Sequence, residues 1–351
     1  MSSSQTYKEH NDIENIKKLR IILKELPNFC RSYFLSLETT KSTRTRLNYA
    51  YDLRVFFHFI KENNPLYTDK EISAFPLELL DELTSIDIEE YVSYLQAYEH
   101  NSMQRVNKDS GILRKLASLR SMYNYFFKKE MIKSNPAMQI ENPKLHTKNI
   151  IRLDPDEVAE MLDIVESGNK LTDAQLRSHK KTRCRDVAIV TLLLGTGVRV
   201  SECVGLNLED VDFKNYCIKI IRKGGNEDIV YFGDEVADAL LDYLNNERSH
   251  IEPEQGHERA LFISLKNQRI STRSVERLVK KYAQNVTTLK KITPHKLRST
   301  YGTNLYRETG DIYLVADVLG HKDVNTTKKH YAAIQDDRKR SAANAVKLRK
   351  E

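Results

Sequence analysis

The amino-acid sequence predicts a mainly α-helical protein of two domains, with a small β-hairpin in the second domain. Three observations support this prediction. Apolar residues recur with helical spacing over residues 22–133, polar residues and two Asn-Pro steps interrupt that spacing over 134–153, and two short strand-like segments flank Lys223. A chain of 351 residues also exceeds the usual size of one domain, so two hydrophobic cores are expected.

The first module, residues 22–133, is predicted to be helical throughout and follows an N-terminal extension, residues 1–21. Its clearest helix carries a stripe of apolar residues at spacings of four and three. The stripe consists of Ile112, Leu116, Leu119, Tyr123 and Phe126. A second predicted helix spans residues 44–62 and interleaves arginines with Tyr and Phe. The linker follows over 134–153, where the prolines restrict the residues before them and end the helical pattern.

Basic side chains on these two helices are the candidates for contact with a polyanion. They are Arg44, Arg46, Arg114, Lys115 and Arg120. Lys and Arg outnumber Asp and Glu by 56 to 49, and the net charge of +7 has the sign expected of a protein that binds DNA. From a fixed helix such side chains can donate hydrogen bonds to phosphates. A solvated charged face over a core stripe is the alternative for each helix alone, and their occurrence in one module favours DNA contact.

The second domain is predicted to span residues 154–351 and to contain both a buried helix and a hairpin. Residues 187–194 are apolar on nearly all sides, as in a buried helix, and end at Gly195-Thr196-Gly197. Residues 216–222 and 228–232 have strand character and flank a Lys-Gly-Gly-Asn turn.

Several classes of protein are excluded by what the sequence lacks. The four cysteines show no CxxC pair and no His at ligand spacing, so neither a disulfide framework nor a zinc site is expected. No stretch approaches the roughly 18 apolar residues that span a bilayer, and we expect a cytoplasmic protein. Walker A, GxGxxG, HExxH and EF-hand motifs do not occur. We therefore expect chemistry from side chains alone, with no metal and no cofactor.

Two segments of the second domain place charged side chains in positions suited to a phosphate. Arg199 directly follows the glycine turn after the buried helix, with Glu202 three residues on to orient it. His295 and Arg298 stand at i and i+3 on a helix predicted to begin at Pro294, so they project from one face. For each segment taken alone, the alternative is structural: a surface ion pair for the first, and a capping His with an exposed Arg for the second.

A third segment near the C-terminus supplies His321 after a Leu-Gly turn and Tyr331 ten residues later. Phosphoryl transfer requires a nucleophile and dense positive charge around the phosphate oxygens, and needs little else from the protein. Two Arg, two His, one Lys and a Tyr meet that requirement.

These motifs together resemble the tyrosine recombinase (phage integrase) family. The resemblance rests on TGVRVSE, RKGG, HKLR, LGH and a final Tyr, in this order and at these separations. RKGGNEDIV and TPHKLR are most similar to the Xer branch, and within it to the single-recombinase XerS type of Gram-positive bacteria. The segment GILRKLASLRSMYNYFFKKE followed by NPA is similar to the end of the family's core-binding domain.

The resemblance implies a C-shaped clamp of two domains and a cradle for the scissile phosphate. In it Arg199 and Arg298 hold the phosphate, His295 assists as acid or base, and His321 completes the cradle by hydrogen bonding. Tyr331 would form a 3′-phosphotyrosine intermediate. Because one phosphodiester is exchanged for another, neither ATP nor a metal is implied.

The resemblance also implies that Lys223 protonates the leaving 5′-oxygen. Lys219 and Arg222 are its rivals for this role, and the Gly-Gly turn favours Lys223 as the residue nearest the loop tip.

The partner implied is double-stranded DNA, with four protomers on two duplexes and the tail after Tyr331 packed on a neighbouring protomer. The expected function is site-specific recombination in the bacterial nucleoid, for chromosome dimer resolution or for integration and excision of a mobile element. The alternatives are a type IB topoisomerase and a DNA-binding regulator without catalysis.

Overall fold

The structure is a computed structural model that describes residues 6–100, 103–143, 151–222 and 225–320. Its chain divides into two units, Met1–Lys148 and Asn149–Glu351. Both are mostly helical with small antiparallel sheets, which confirms the predicted fold class. Among the described residues, no helix is both long enough and apolar enough to cross a membrane.

The first unit contains six α-helices and one β-hairpin among its described residues. The helices are α1 (Tyr7–Ile22), α2 (Cys30–Ser36), α3 (Thr43–Asn63), α4 (Leu79–Glu82), α5 (Ser85–Gln96) and α6 (Asp109–Lys128), and the hairpin is formed by β1 (Ala97–His100) and β2 (Met103–Val106).

Helices α3 and α6 form much of the core of the first unit. The whole predicted stripe of α6 is buried, as helical spacing requires of one face. Helix α3 packs against α6, and its Phe56 and Phe57 are both fully buried in the same core. Ser42 caps the start of α3, where its hydroxyl accepts a hydrogen bond from the backbone N–H of Thr45.

Two elements of the first unit depart from the sequence-based expectation. Helix α1 occupies most of the predicted N-terminal extension, and its Leu19 and Ile22 are part of the core of the first unit. Most of its other side chains are polar, so apolar periodicity did not reveal it. The hairpin β1–β2 lies where continuous helix was predicted. Its strands, apart from the half-buried Tyr98, are exposed where their burial is described, so no alternation of apolar and polar residues marked them.

The second unit is built around one buried helix. Its α-helices are α7 (Pro155–Ser167), α8 (Asp173–His179), α9 (Arg183–Thr196), α10 (Val200–Gly205), α11 (Asp234–Asn246), α12 (Thr272–Val286), α13 (Pro294–Thr309) and α14 (Ile312–Val318). Helix α9 packs against α7, α11 and α13 and is buried along most of its length, as the apolar segment 187–194 predicted.

A three-stranded antiparallel sheet completes the second unit. Strands β4 (Cys217–Ile221) and β5 (Glu227–Tyr231) confirm the predicted hairpin, and β3 (Val211–Asp212) adds a short third strand at its edge. Ile218 opposite Val230 fixes the register and turns both side chains inward.

Candidate active site

The site begins at the end of α9, where Gly197 turns the chain. Gly197 has a φ of 63°, and a Cβ there would lie 2.4 Å from Cδ1 of Tyr301. Only glycine therefore fits both the left-handed backbone and the contact with α13. This turn sets Arg199 immediately before α10, as the sequence predicted.

Glu202 fixes Arg199 at the start of α10. Its Oε2 accepts the backbone N–H of Arg199 at 2.8 Å, and its Oε1 lies 2.8 Å from Nη1 of the guanidinium. The Glu202 side chain is only 3% exposed, so this pairing takes place largely out of water. The expectation that Glu202 orients Arg199 agrees with these two contacts.

Arg298 approaches the same turn from α13. It is buried, and its Nη1 donates to the carbonyl oxygen of Gly197 at 2.6 Å. Its Nη2 donates to the carbonyl oxygen of Leu319. The alternative of an exposed Arg298 on the HKLR helix is wrong, because the packing of α13 on α9 carries this side chain inside.

A third guanidinium, that of Arg222, lies beside the first two. Its Nη1 lies 3.3 Å from Oε2 of Glu202, its Nε lies 2.7 Å from Oδ2 of Asp228, and its Nη2 donates to the carbonyl oxygen of Val318 at 3.0 Å. The sequence marked Arg222 only as a rival of Lys223. Its position directly before Lys223, which precedes the Gly-Gly turn, was the available sequence signal for a role at this site.

The three arginines hold three successive carbonyl groups at the C-terminal end of α14. Arg222 binds the carbonyl oxygen of residue 318, Arg298 binds that of 319, and Arg199 binds that of 320 at 3.4 Å. Carbonyls at a helix C-terminus carry partial negative charge and lack partners within the helix, so cations there are favourable. The turn they hold leads directly to His321.

His295 lies on the first turn of α13, three residues before Arg298, and its side chain is exposed. The helix thus brings a solvent-facing imidazole near a buried guanidinium. Lys223, His321 and Tyr331 lie outside the described residues.

The chemistry of this arrangement suits an anion. Three guanidiniums stand against one buried carboxylate, Glu202, and the more exposed Asp228. Guanidinium groups remain charged at all physiological pH values and bind phosphate oxygens through paired N–H groups. Because their neighbours already fix them, they can bind a phosphate with little loss of side-chain entropy.

The predicted DNA-binding residues of α3 differ in their surroundings. Arg44 is exposed. Arg46 is only 7% exposed, and its Nη1 lies 2.8 Å from Oε1 of Glu38. Lys115 of α6 is 6% exposed and donates to Oδ1 of Asn107 at 2.9 Å. Burial lowers the pKa of Lys115. Phosphate contact by these residues stays a prediction.

The two remaining candidates on α6 also bind protein groups. Arg114 is half-exposed and pairs with the buried carboxylate of Asp52, whose pKa is raised by burial. Arg120 donates to the carbonyl oxygen of Ala137 at 2.9 Å and to Oδ1 of Asn142 at 2.6 Å. Arg120 therefore ties α6 to the first part of the predicted linker.

Replacing Arg120 with Ala is expected to loosen residues 137–142. Hydrogen bonds to charged groups contribute about 1.5–3 kcal/mol each, so the local opening free energy should fall by roughly that amount. Hydrogen–deuterium exchange should show faster exchange of this segment. The exposed Lys128→Ala variant of the same helix is the control and should exchange as the wild type does. Equal exchange in both variants would contradict the anchoring role.

Comparison with known proteins places the chain in a family. The model of the phage integrase family matches residues 151–338. A XerC tyrosine recombinase of Caldanaerobacter subterraneus is 33% identical over 94% of this chain and 88% of its own length. A XerS tyrosine recombinase of Streptococcus thermophilus is 30% identical over 95% of this chain and 98% of its own length.

Solved structures share the fold. XerH recombinase, bound to a palindromic difH substrate in a post-cleavage complex, has a TM-score of 0.66 at 18% identity, covering 97% of this chain and 90% of its own. The Tn1549 transposon integrase, in complex with circular intermediate DNA, has a TM-score of 0.62 at 21% identity, covering 86% and 94%. Together with the sequence matches and the cluster of arginines, these findings confirm the resemblance that the motifs indicated. The chain belongs to the phage integrase family of tyrosine recombinases, enzymes that cleave and rejoin DNA strands.

Proposed function

We propose that this chain cuts and rejoins double-stranded DNA through a 3′-phosphotyrosine bond to Tyr331. Arg199 and Arg298 would hold the scissile phosphate from two sides. The observation that carries the proposal is their convergence: from α10 and α13 they reach adjacent carbonyl groups of the turn before His321. The guanidiniums of Arg199 and Arg298 are thereby brought to one turn, where a phosphate can accept hydrogen bonds from both.

Each step of the proposed reaction balances without a nucleotide or an oxidant. The phenolic oxygen of Tyr331 attacks phosphorus while the bond from phosphorus to the 5′-oxygen breaks. His295 accepts the phenolic proton, and Lys223 gives a proton to the departing 5′-oxygen. A 5′-hydroxyl of the partner strand then gives its proton to Lys223 and attacks the phosphotyrosine, while His295 returns a proton to the departing phenolic oxygen of Tyr331. The two arginines neutralise charge on the non-bridging oxygens during both steps.

The proposed assembly holds two DNA duplexes between four protomers. DNA as partner is supported by the fold shared with XerH and the Tn1549 integrase, both of which are solved with DNA. The tail after Tyr331 would pack on a neighbouring protomer. Arg44 and Arg114, the two exposed members of the predicted DNA-binding set, would contact phosphates. We propose that the substrate is DNA in the cytoplasm of a bacterium.

The test is capture of the covalent intermediate by the full-length protein. A pool of randomised duplexes, each nicked in one strand, lets the short 5′-hydroxyl fragment leave after cleavage, so rejoining fails and the adduct accumulates. We expect a protein–DNA species that survives denaturing detergent and forms in EDTA without ATP. Mass spectrometry should place the nucleotide on the peptide containing Tyr331. Linkage to another residue would overturn the assignment.

Recombination is separated from topoisomerase activity by the choice of DNA. Sequences enriched among the adducts are placed in pairs on one plasmid. A recombinase excises or inverts the intervening segment, whereas a type IB topoisomerase relaxes supercoils whether or not the sites are present. Recombination without site-independent relaxation is the expected result. A DNA-binding regulator would give neither product.

DNA affinity is expected to fall steeply with salt. A protein that neutralises about 6–10 phosphates loses about 10³- to 10⁵-fold in affinity between 50 and 200 mM salt, because condensed counterions are released on binding. Fluorescence anisotropy with a labelled duplex measures the slope. A flat response would contradict DNA binding through the basic side chains.

Chromosome dimer resolution is the favoured biological role, and mobile-element transfer is the second candidate. The match to the XerS and XerC relatives over most of their length favours dimer resolution. The fold shared with the Tn1549 transposon integrase supports mobile-element transfer as the second candidate. Immunoprecipitation of bound chromosomal DNA distinguishes them. One site near the replication terminus indicates dimer resolution, and the ends of a mobile element indicate integration.

A further inference from the structure

Arg222 stands at the base of the loop that carries Lys223. It follows β4, and its backbone closes the loop: its N–H donates to the carbonyl oxygen of Asn226 at 2.8 Å, and its carbonyl oxygen accepts the N–H of Gly225 at 3.0 Å. The backbone of Arg222 is therefore hydrogen-bonded to Gly225 and Asn226 on the far side of the loop.

The side chain of Arg222 joins three elements to that loop. Its three guanidinium nitrogens bind Glu202 of α10, Asp228 of β5 and the carbonyl oxygen of Val318 at the end of α14. Only 11% of the side chain is exposed. Gly320 leaves room for it, because a Cβ there would lie 2.9 Å from the guanidinium carbon. Arg222 thus links the hairpin to the glutamate that orients Arg199.

We propose that Arg222 is a positioning residue that sets the Lys223 loop against the phosphate-binding arginines. The inference rests on the proposed function, in which Lys223 protonates the leaving oxygen. A lysine at 222 would keep the charge, but its single nitrogen cannot bind the same three partners in the planar directions that a guanidinium allows. Arg222→Lys should therefore preserve the electrostatic potential while releasing the loop.

Loss of proton donation leaves a chemical signature that general damage to the fold does not. An alkoxide is a poor leaving group and needs the proton, whereas a thiolate leaves without one, because a thiol is a far stronger acid than an alcohol; the thiol of cysteine, for example, has a pKa of about 8.5. General acid catalysis contributes about 10²- to 10⁴-fold. A duplex with sulfur in place of the bridging 5′-oxygen should therefore restore cleavage to a variant that has lost only the acid.

The experiment compares cleavage of matched oxygen and sulfur duplexes by the full-length protein. For Arg222→Lys we expect a loss of about 10²-fold with oxygen and near wild-type cleavage with sulfur. Lys223→Ala should show the same pattern. The matched control is Arg248→Lys. Arg248 is also buried, and it donates to the backbone carbonyl groups of Glu258 and Ala260, which are not part of the site. Arg248→Lys should lower both rates alike or neither.

The outcomes separate the inference from the proposed function. If the wild type cleaves both duplexes and Arg222→Lys slows both equally, the positioning role is wrong and the function stands. If the wild type cleaves neither, the proposed function fails.

The inference is then decided by hydrogen exchange without DNA, where Arg222→Lys should speed exchange of the Gly225 amide and Arg248→Lys should not. An unchanged rate at Gly225 would overturn the positioning role.

Discussion

Tyr331→Phe is expected to abolish the covalent protein–DNA adduct and to leave DNA affinity unchanged. Phenylalanine keeps the ring but removes the protein oxygen that the proposed reaction bonds to phosphorus. The phosphate cradle does not depend on that oxygen, so the variant should still bind the nicked duplex. Gel electrophoresis under denaturing conditions measures the adduct, and anisotropy measures the affinity.

The matched control for this prediction is Tyr231→Phe. Tyr231 lies on β5 with 70% of its surface exposed, so removal of its hydroxyl tests for a general effect of losing one of the eighteen tyrosines. It should form the adduct at the wild-type rate. Adduct that persists in Tyr331→Phe would show that another residue is the nucleophile.

Arg298→Lys is expected to have the second-largest effect, because Arg298 serves both the fold and the proposed chemistry. It is only 4% exposed and holds the carbonyl groups of Gly197 and Leu319. A lysine cannot bind both, and leaving a buried carbonyl unpaired costs about 1–3 kcal/mol. Removal of a single preorganised donor to a transition state costs about 10²- to 10³-fold in rate. We therefore expect both lower stability of the second unit and at least that loss of cleavage.

The control for Arg298 must be an arginine that also donates to two backbone carbonyl groups but lies outside the phosphate site. Arg269 donates to the carbonyl groups of Val204 and Leu206, at 3.0 and 2.7 Å. Arg269→Lys should lower stability by a similar amount, measured by urea denaturation, with cleavage kept at temperatures where it is folded. If both variants lose cleavage in proportion to stability, the direct role of Arg298 at the phosphate is contradicted.

Local sequence was sufficient for those elements whose signals are local. The apolar segment 187–194 ended by Gly197 predicted a buried helix and its turn, because burial on all sides and a left-handed backbone each leave a mark on composition. Pro294 marked the start of α13, because the fixed φ and the missing N–H of proline suit the first position of a helix. Hairpin β1–β2 was missed because its strands bury little of their surface, and without a buried face there is no periodicity to read.

Charged residues were harder to interpret than apolar ones. Arg46 and Lys115 belong to helices predicted to face DNA, yet both side chains are buried against polar groups of the first unit. The sequence of one helix contains no information about what packs over it. A cation on a polar face and a cation paired in a core differ only in partners that come from elsewhere in the chain.

The sequence by itself determined which chemistry this protein carries: the order and spacing of its motifs identified the family and the candidate residues, Tyr331 among them. Only the tertiary structure decided how the arginines are used. Arg199, Arg222 and Arg298 come from three different parts of the chain and bind consecutive carbonyl groups at the C-terminal end of α14, and Glu202 pairs with two of them. That convergence depends on the packing of α13 on α9 and on the hairpin, and long-range packing leaves no local periodicity in a sequence.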